Sequence, residues 1–270
     1  MLSALLSAVL LAAPASAPVE RPVTIPTTGG VTLSGTLTVP PGPGPHPAAV
    51  LVGGFGPSNR DGSLDAGGNP PYRVVAQGLA RRGIMVLRYD KRGIGASEGP
   101  ALSWLDARPL AADAGAAVRR LVAVTGVDRS RVTLIGHSQG GDLALRAART
   151  APATRVVALS APGRRLGLLP RVSGTASRLL QRLLGADVAR ATLDRDPRPD
   201  AAALRQPVML VHGTRDRTVP IADMSLLAAA RREAGRRTTT LTVPGAGHFL
   251  QVEGRVPARV LDAVAAFARR

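Results

Sequence analysis

Residues 132–148 read VTLIGHSQGGDLALRAA, and this stretch decides the fold. Its apolar run, residues 132–135, predicts a β-strand, and the helix-forming residues after Gly140 predict an α-helix. Glycines two positions before and two positions after Ser138 leave room for a sharp strand-to-helix turn. Such a turn exposes the serine hydroxyl, so Ser138 is the candidate nucleophile.

The Gly-x-Ser-x-Gly pattern does not identify the nucleophile by itself, because the chain contains it twice. The second match, residues 95–99, follows a glycine-rich loop and is followed at once by Pro100. Proline and glycine in these positions are typical of a loop and leave no strand-to-helix turn there. We therefore expect Ser97 to be a loop or capping residue.

The rest of the chain predicts an α/β fold, with a mostly parallel central sheet flanked by helices. After two β-like stretches, residues 23–27 and 31–39, apolar runs alternate with helical patterns, which is typical of a sheet covered on both faces. The later strands are predicted at residues 48–52, 84–88, 132–135, 156–159, 208–211 and 239–243, and the helices at residues 71–82, 110–124, 140–150, 221–234 and 256–268.

Residues 161–206 form an interval that is too long for an ordinary connection, so they predict a helical cap inserted into one catalytic domain, residues 18–270. Five apolar residues recur there at helical spacing: Leu179, Leu180, Leu183, Leu184 and Val188. Such a stripe either closes over a site or packs onto the main domain.

Composition limits the classes of protein to which the chain can belong. At 270 residues, 45% of them hydrophobic, it can bury one sizeable core. The net charge of +17 comes from 35 basic and 18 acidic residues, and scattered arginine pairs favour solvated helix faces over a nucleic-acid-binding stripe. The absence of cysteine excludes disulfides, thiolate metal sites and a cysteine nucleophile. Lys91, the only lysine, is an unpromising candidate for Schiff-base chemistry. Composition leaves the oligomeric state open.

The N-terminal residues 1–17 predict a signal peptide. An apolar run at residues 2–11 precedes a series of small residues, as in a signal-peptide core followed by its cleavage region. The run is too short to span a bilayer, so no stable membrane span is expected in the mature chain. We expect a secreted or cell-envelope protein. The alternative for residues 1–17 is a disordered tail or a short anchor, and the alternative location is the cytoplasm.

A serine nucleophile needs a base, and the chain offers only four histidines. His248 lies in a glycine-rich loop between the last strand and the last helix, where a base reaches the carboxyl edge of the sheet. His46 lies in a Pro/Gly linker and is expected to be exposed. His137 is adjacent to Ser138 and is expected to point elsewhere, and His212 ends a buried strand, which favours a supporting role.

The base needs an acid that orients it, and Asp216 is the best candidate. It follows the strand at residues 208–211, in a turn marked by glycine and proline. Its role would be to hold the imidazole tautomer and stabilise the imidazolium. The alternative for Asp216 is a surface ion pair with the flanking arginines. Its competitors fall in predicted helices or in the cap: Asp142, Asp187, Asp194, Asp196, Asp200 and Asp223.

Two backbone amides are expected to form an oxyanion hole, which stabilises the negative oxygen of a tetrahedral intermediate. One is the N–H of Gln139, directly after the nucleophile. The other lies in the glycine-rich loop at residues 53–57, where Phe55 is preferred and Gly54 is second. A phosphate-binding loop is the alternative, but the Lys-Ser/Thr ending of that motif is missing. No metal and no cofactor site is predicted.

These residues together resemble the α/β-hydrolase superfamily, from about Pro22 to the C-terminus. More narrowly, GFGPSNRDG at residues 54–62 resembles a segment of a bacterial serine esterase group related to serine aminopeptidases. YDKRGIGAS at residues 89–97 is similar to a loop seen widely in the superfamily. The resemblance implies hydrolysis of carboxylic esters through an acyl-enzyme, without metal or organic cofactor.

The sequence also departs from this family. Gly53 stands where many relatives carry histidine, and Phe55 stands where the narrower group has a small residue, so Phe55 is expected to narrow the acyl pocket. Arg60 and Asp61 are expected to pair with each other and brace the oxyanion loop. Further pocket or supporting residues are predicted at Gly54, His137 and Phe249.

We therefore predict a serine carboxylesterase acting on small-molecule esters with short to medium acyl groups. A serine aminopeptidase or acyltransferase using Ser138, Asp216 and His248 is the second reading, because fold and triad do not fix the acyl acceptor. The third is a non-catalytic binding module for acidic polymers that keeps the fold.

Overall fold

Strands and helices alternate along the chain in the computed structural model, which describes residues 16–62, 70–169 and 175–270. The strands are β1 (Val19–Pro26), β2 (Thr32–Val39), β3 (His46–Val52), β4 (Met85–Tyr89), β5 (Val127–His137), β6 (Arg155–Leu159), β7 (Val208–Gly213) and β8 (Thr238–Val243). The helices are α1 (Pro71–Ala80), α2 (Ala107–Val122), α3 (Gln139–Ala147), α4 (Thr175–Leu184), α5 (Ala186–Thr192), α6 (Arg198–Ala203), α7 (Ala222–Glu233) and α8 (Ala258–Arg269).

The strands form one sheet in the order β1-β2-β4-β3-β5-β6-β7-β8. β1 pairs antiparallel with β2, and β2 pairs antiparallel with β4, whereas all the pairs from β4 to β8 are parallel. The predicted α/β class with a mostly parallel sheet is confirmed. Because parallel strands end at the same edge, the loops after β3, β5 and β7 meet there, and this edge is where ligands bind in open α/β sheets.

The sheet is covered on both faces, and β5 shows how its sequence achieves this. Successive side chains of a strand point to opposite faces. Leu134 lies in an apolar cluster with side chains of α2 and α3, whereas its neighbour Ile135 lies in a second cluster with side chains of α1 and α8. Continuous apolar runs such as residues 132–135 therefore suit a strand that is buried on both sides.

The segment between β6 and β7 contains α4, α5 and α6. Its apolar side chains and one residue of the loop after β7 form a small separate cluster, here called the insert cluster: Leu166, Leu169, Ala189, Leu193 and Val219. Phe55 and Leu184 pack against this cluster. Of the predicted stripe, Leu184 thus packs inward, while Leu179 is 57% exposed. The side chains of Leu180 and Leu183 lie outside the description.

The predicted leader, residues 1–17, falls almost wholly outside the described residues. Within the part of the chain that is described, no helix is long and apolar enough to cross a membrane.

Candidate active site

Ser138 stands alone between a strand and a helix, because β5 ends at His137 and α3 begins at Gln139. Its backbone has φ 55° and ψ −126°, a conformation that costs free energy for any residue with a Cβ atom. Both flanking glycines are required by packing. A Cβ atom on Gly136 would lie 2.0 Å from the Gly140 carbonyl oxygen, and one on Gly140 would lie 2.3 Å from the Val52 carbonyl oxygen. The turn thus has the strained geometry that the sequence predicts for a nucleophile.

Asp216 is held rigidly in the loop after β7. One carboxylate oxygen, Oδ1, accepts the backbone N–H groups of Thr218 and Val219 at 2.9 Å each. The other, Oδ2, lies 2.8 Å from Nδ1 of His248. Burial by itself raises the pKa of Asp216, but the hydrogen bonds from His212 and His248 outweigh it and hold that pKa well below its usual range. Asp216 is therefore an ionised carboxylate that orients the His248 ring.

His212 supports the same carboxylate from a buried position at the end of β7. Its Nε2 lies 2.9 Å from the Val219 carbonyl oxygen and 3.4 Å from Oδ2 of Asp216. Because a carbonyl only accepts, Nε2 carries the proton. The predicted supporting role of His212 agrees with these contacts.

A cleft of about 440 Å³ opens beside Ser138 and His248. Asp216 is joined to it through His248. Oγ of Ser138 has no hydrogen-bond partner among the residues that the structure describes, so it is free to meet a ligand. The lining residues are Gly54, Phe55, Gly56, Pro57, Ser58, Gly62, Tyr72, His137, Ser138, Leu166, Leu169, Thr218, His248 and Phe249.

Two unbonded backbone amides lie next to this cleft. Gln139 begins α3 and Phe55 follows β3, and in the described ranges neither N–H has an acceptor. The loop lies directly against the serine, since a Cβ atom on Gly54 would be 3.0 Å from Cβ of Ser138. The N–H of Gly54, the second candidate from the sequence, is already used, because it donates to Oη of Tyr72 at 2.8 Å. The geometry thus favours Phe55 over Gly54.

A buried chain of hydrogen bonds joins the loop at Gly54, the end of β5 and the loop that carries His248. Tyr72 Oη accepts from Gly54, so its hydroxyl donates to Nδ1 of His137 at 3.0 Å, and Nε2 of His137 donates to the His248 carbonyl at 2.9 Å. Burial and the nearby charge of His248 lower the pKa of His137 to about 3, so the ring is neutral. It stacks on Phe249 with ring centres 4.8 Å apart.

This arrangement corrects the expectation that His137 points away from the site, because its ring lines the cleft. The expectation was based on the divergence of neighbouring side chains, but the tertiary contact with Tyr72 turns the ring inward. Tyr72 itself was missed. The only sequence signal for it is that the chain has just two tyrosines.

Lys91 lies beneath the loop that carries Phe55 and was also missed. It is 4% exposed, and its Nζ contacts the carbonyl oxygen of Gly54 and lies 2.9 Å from that of Gly56. Burial lowers the pKa of Lys91 to about 7. The sequence signal for it is its uniqueness: it is the one lysine among 35 basic residues.

Two ion pairs fasten the next part of the same loop. Arg60 pairs with Asp90 at 2.7 Å, and Asp61 pairs with the buried Arg88 at 2.7 Å. The prediction that Arg60 and Asp61 pair with each other is therefore wrong, although both brace the loop. Each reaches a partner at the end of β4, because that strand lies beside β3 in the sheet.

The linker composition predicts an exposed His46, but this prediction is wrong. His46 is only 9% exposed and occupies the first position of β3. The Pro/Gly linker ends two residues earlier than expected, because β3 begins at His46, which pairs with Val127 of β5. It lies at the opposite end of β3 from the cleft and has no place in the site.

Two family models match the chain. The serine aminopeptidase (S33) model matches residues 71–191, and the prolyl oligopeptidase family model matches residues 189–270. An esterase of Thermotoga maritima, EstD, is 32% identical over 274 residues, which cover 86% of this chain and 64% of the esterase. The chain thus spans less than two thirds of the length of that relative.

Two further proteins are similar to this chain. An uncharacterized protein of Mycobacterium tuberculosis is 31% identical over 222 residues, covering 80% of this chain and 70% of its own. The structure of an esterase of Pyrococcus furiosus superposes with a TM-score of 0.70 at 19% identity, covering 94% of this chain and 91% of its own, which shows the shared fold. The chain therefore belongs to the α/β-hydrolase family, in the part of it that holds esterases and serine peptidases.

Proposed function

We propose that the protein is a serine carboxylesterase in which Ser138, His248 and Asp216 act as a triad. The observation that carries the proposal is the 2.8 Å contact between Asp216 and His248 beside a cleft that also holds the strained Ser138 turn. An ionised carboxylate on Nδ1 fixes the tautomer that leaves Nε2 free to accept a proton.

In the first half of the reaction, Oγ of Ser138 attacks the ester carbonyl carbon and His248 takes the hydroxyl proton. The N–H groups of Phe55 and Gln139 stabilise the negative oxygen of the tetrahedral intermediate. As the bond between the acyl carbon and the alcohol oxygen breaks, His248 gives its proton to the departing alcohol. Water then attacks the acyl-enzyme by the same steps, releasing the acid and restoring Ser138.

The cleft lining favours an uncharged acyl group. Its described walls are formed by Phe55, Leu166, Leu169 and Phe249 together with proline, glycine, hydroxyl and histidine residues, and they include no carboxylate, lysine or arginine side chain. An aminopeptidase needs an anionic group to hold the free α-ammonium of its substrate, because a buried unpaired charge is costly. A volume of about 440 Å³ suits a short to medium acyl chain.

Labelling with a fluorophosphonate tests whether Ser138 is the nucleophile. We expect the wild-type protein to be labelled on Ser138 and the Ser138→Ala variant to remain unlabelled. Folding of both proteins is checked by circular dichroism. A folded wild-type protein that is not labelled would remove the enzymatic proposal and leave the binding-module reading.

A substrate panel then separates esterase from peptidase. Nitrophenyl esters from acetate to decanoate are compared with aminoacyl nitroanilides of matched size. We expect kcat/KM for the esters to exceed that for the amides by at least about a hundredfold, since no described lining group pairs with an α-ammonium. A higher kcat/KM for the amides would contradict the esterase proposal and favour a peptidase, the activity for which the two matching family models are named.

A further inference from the structure

Lys91 is a buried amine with two backbone acceptors. Its Nζ bonds the carbonyl oxygens of Gly54 and Gly56, and no carboxylate in the described ranges pairs with it. The adjacent Asp90 is already bonded to Arg60. Burying a lysine lowers stability unless its contacts compensate, so a lysine held only by two carbonyls of one loop invites a functional explanation.

The two carbonyls lie on either side of Phe55. In a trans peptide group the C=O and N–H bonds point in opposite directions. The carbonyl of Gly54 and the N–H of Phe55 belong to the same peptide group, so an amine that holds this carbonyl on the inner side directs the N–H to the other side, toward the cleft.

The loop needs such a restraint because glycines flank Phe55. Gly56 has φ of 111°, a region that glycine enters freely, and a Cβ atom there would touch nothing within 4 Å. Without a group on the carbonyls, rotation of the peptide group between Gly54 and Phe55 would turn the N–H away from the reacting oxygen.

We propose that Lys91 is a positioning residue that clamps the Gly54 and Gly56 carbonyls and thereby aims the Phe55 N–H at the oxyanion. This inference rests on the proposed esterase function. It assigns no contact between Lys91 and the substrate, because Lys91 acts on the opposite side of the peptide group. Accepting a hydrogen bond at the carbonyl also polarises the peptide group and strengthens its N–H as a donor.

The clamp does not depend on the charge of Lys91. A neutral amine retains two N–H bonds, one for each carbonyl, and an ammonium group has three. The lowered pKa of about 7 is therefore compatible with the same geometry in both forms.

The Lys91→Met variant tests the clamp, with Arg92→Met as a matched control. Arg92 is the next residue, and it pairs with the buried Asp113 of α2 at 2.6 Å. We expect Lys91→Met to lower kcat by about a hundredfold with KM within about threefold, because losing one oxyanion donor has this size of effect. Arg92→Met is expected to lower the melting temperature while kcat stays within threefold.

Chemical rescue distinguishes positioning from a general role in folding. The chain has no cysteine, so Lys91→Cys carries a single thiol. Alkylation of the unfolded variant with 2-bromoethylamine, followed by refolding, gives a side chain that ends in an amine. Alkylation with 1-bromopropane gives an apolar side chain of equal length. We expect only the first to recover kcat to within about tenfold of wild type.

Binding of a trifluoromethyl ketone, which forms a tetrahedral adduct with serine, should weaken in parallel with kcat. Equal kcat values for the two alkylated forms would overturn the proposal, as would an unchanged kcat in folded Lys91→Met. If the propyl form does not refold, Lys91→Gln, which keeps N–H donors, is compared with folded Lys91→Met. Equal kcat values for these two variants would contradict the clamp. Failure of the esterase proposal is recognised separately, because the wild-type protein would then be inactive and unlabelled.

Discussion

The two Gly-x-Ser-x-Gly segments of this chain share a pattern and differ in everything around it. The hydroxyl of Ser97 is fully used by the backbone, because it donates to the Asp90 carbonyl at 2.7 Å and accepts the Ser34 N–H at 2.9 Å. The hydroxyl of Ser138 has no such partner in the described part of the chain, and its residue has φ of 55°. The elements on either side of the pattern thus decide whether its serine braces a loop or faces a cleft.

The largest expected difference lies in turnover. Replacing Ser138 by alanine should lower kcat by a factor on the order of 10⁶, because the proposed acyl-enzyme can no longer form. Ser97→Ala should keep kcat within about threefold and lower the free energy of unfolding by about 1–3 kcal/mol, since the Ser34 N–H loses its acceptor. Ester hydrolysis and urea denaturation measure the two effects. Similar losses of kcat in both variants would erase the contrast.

The second difference lies in the carboxylate associated with each segment, Asp216 for Ser138 and Glu98 for Ser97. Asp216→Asn should lower kcat by about 10⁴-fold, because an amide no longer fixes the tautomer of His248. The matched control is Glu98→Gln in the other segment, which removes an exposed carboxylate that accepts the Thr32 N–H at 2.8 Å. Its kcat should equal that of wild type. The assignment of Asp216 fails if a folded Asp216→Asn retains a tenth of the wild-type kcat.

The third difference is steric and is measured as a change in the free energy of unfolding. Alanine at Gly136 would place a Cβ atom 2.0 Å from a backbone oxygen, whereas at Gly99 the nearest atom would be 3.1 Å away. We expect Gly136→Ala to cost more than about 3 kcal/mol of unfolding free energy and Gly99→Ala about 1–3 kcal/mol, the latter mainly from its positive φ. Denaturation curves in urea decide the order, and a reversed order contradicts the packing argument.

The smallest difference is in how stability depends on pH. The residue before Ser138 is His137, which titrates, whereas the residue before Ser97 is Ala96, which does not. Folding lowers the pKa of His137 from the ordinary 6.5 to about 3, so between these values the unfolded chain binds a proton that the folded chain does not. Stability is therefore lost as the pH falls below about 6.5. Between pH 7 and 4.5 the wild-type protein should lose about 2.5 kcal/mol more than His137→Gln. Equal pH slopes would show that His137 is not buried in neutral form.

Much of this site was predictable because its parts are local. The strand, turn and helix around Ser138 lie within 17 consecutive residues, and the glycines that permit the turn are visible in the sequence. Asp216 and His248 were predictable because the carboxyl ends of parallel strands share one edge.

The residues that sequence reasoning missed act through distant contacts. Lys91 meets the Gly54 loop from 37 positions away, and Tyr72 meets His137 from 65 positions away. Neither pairing has a periodicity or a motif, since each depends on how neighbouring loops fold over one sheet edge. The error over Arg60 and Asp61 has the same cause: adjacency along the chain suggested a pair, and the neighbouring strand supplied better partners.

The insert cluster connects the segment between β6 and β7 to the proposed active site through apolar side chains. Phe55 packs on it, and Val219, which belongs to it, donates its N–H to Asp216. Side chains that only fill space there thus help to position Phe55, the proposed oxyanion donor, and Asp216, the proposed orienting acid. Natural variation in this segment should consequently alter the height of the activation barrier as well as the fit of the acyl group. Relatives that differ there would then diverge in turnover even on a shared substrate.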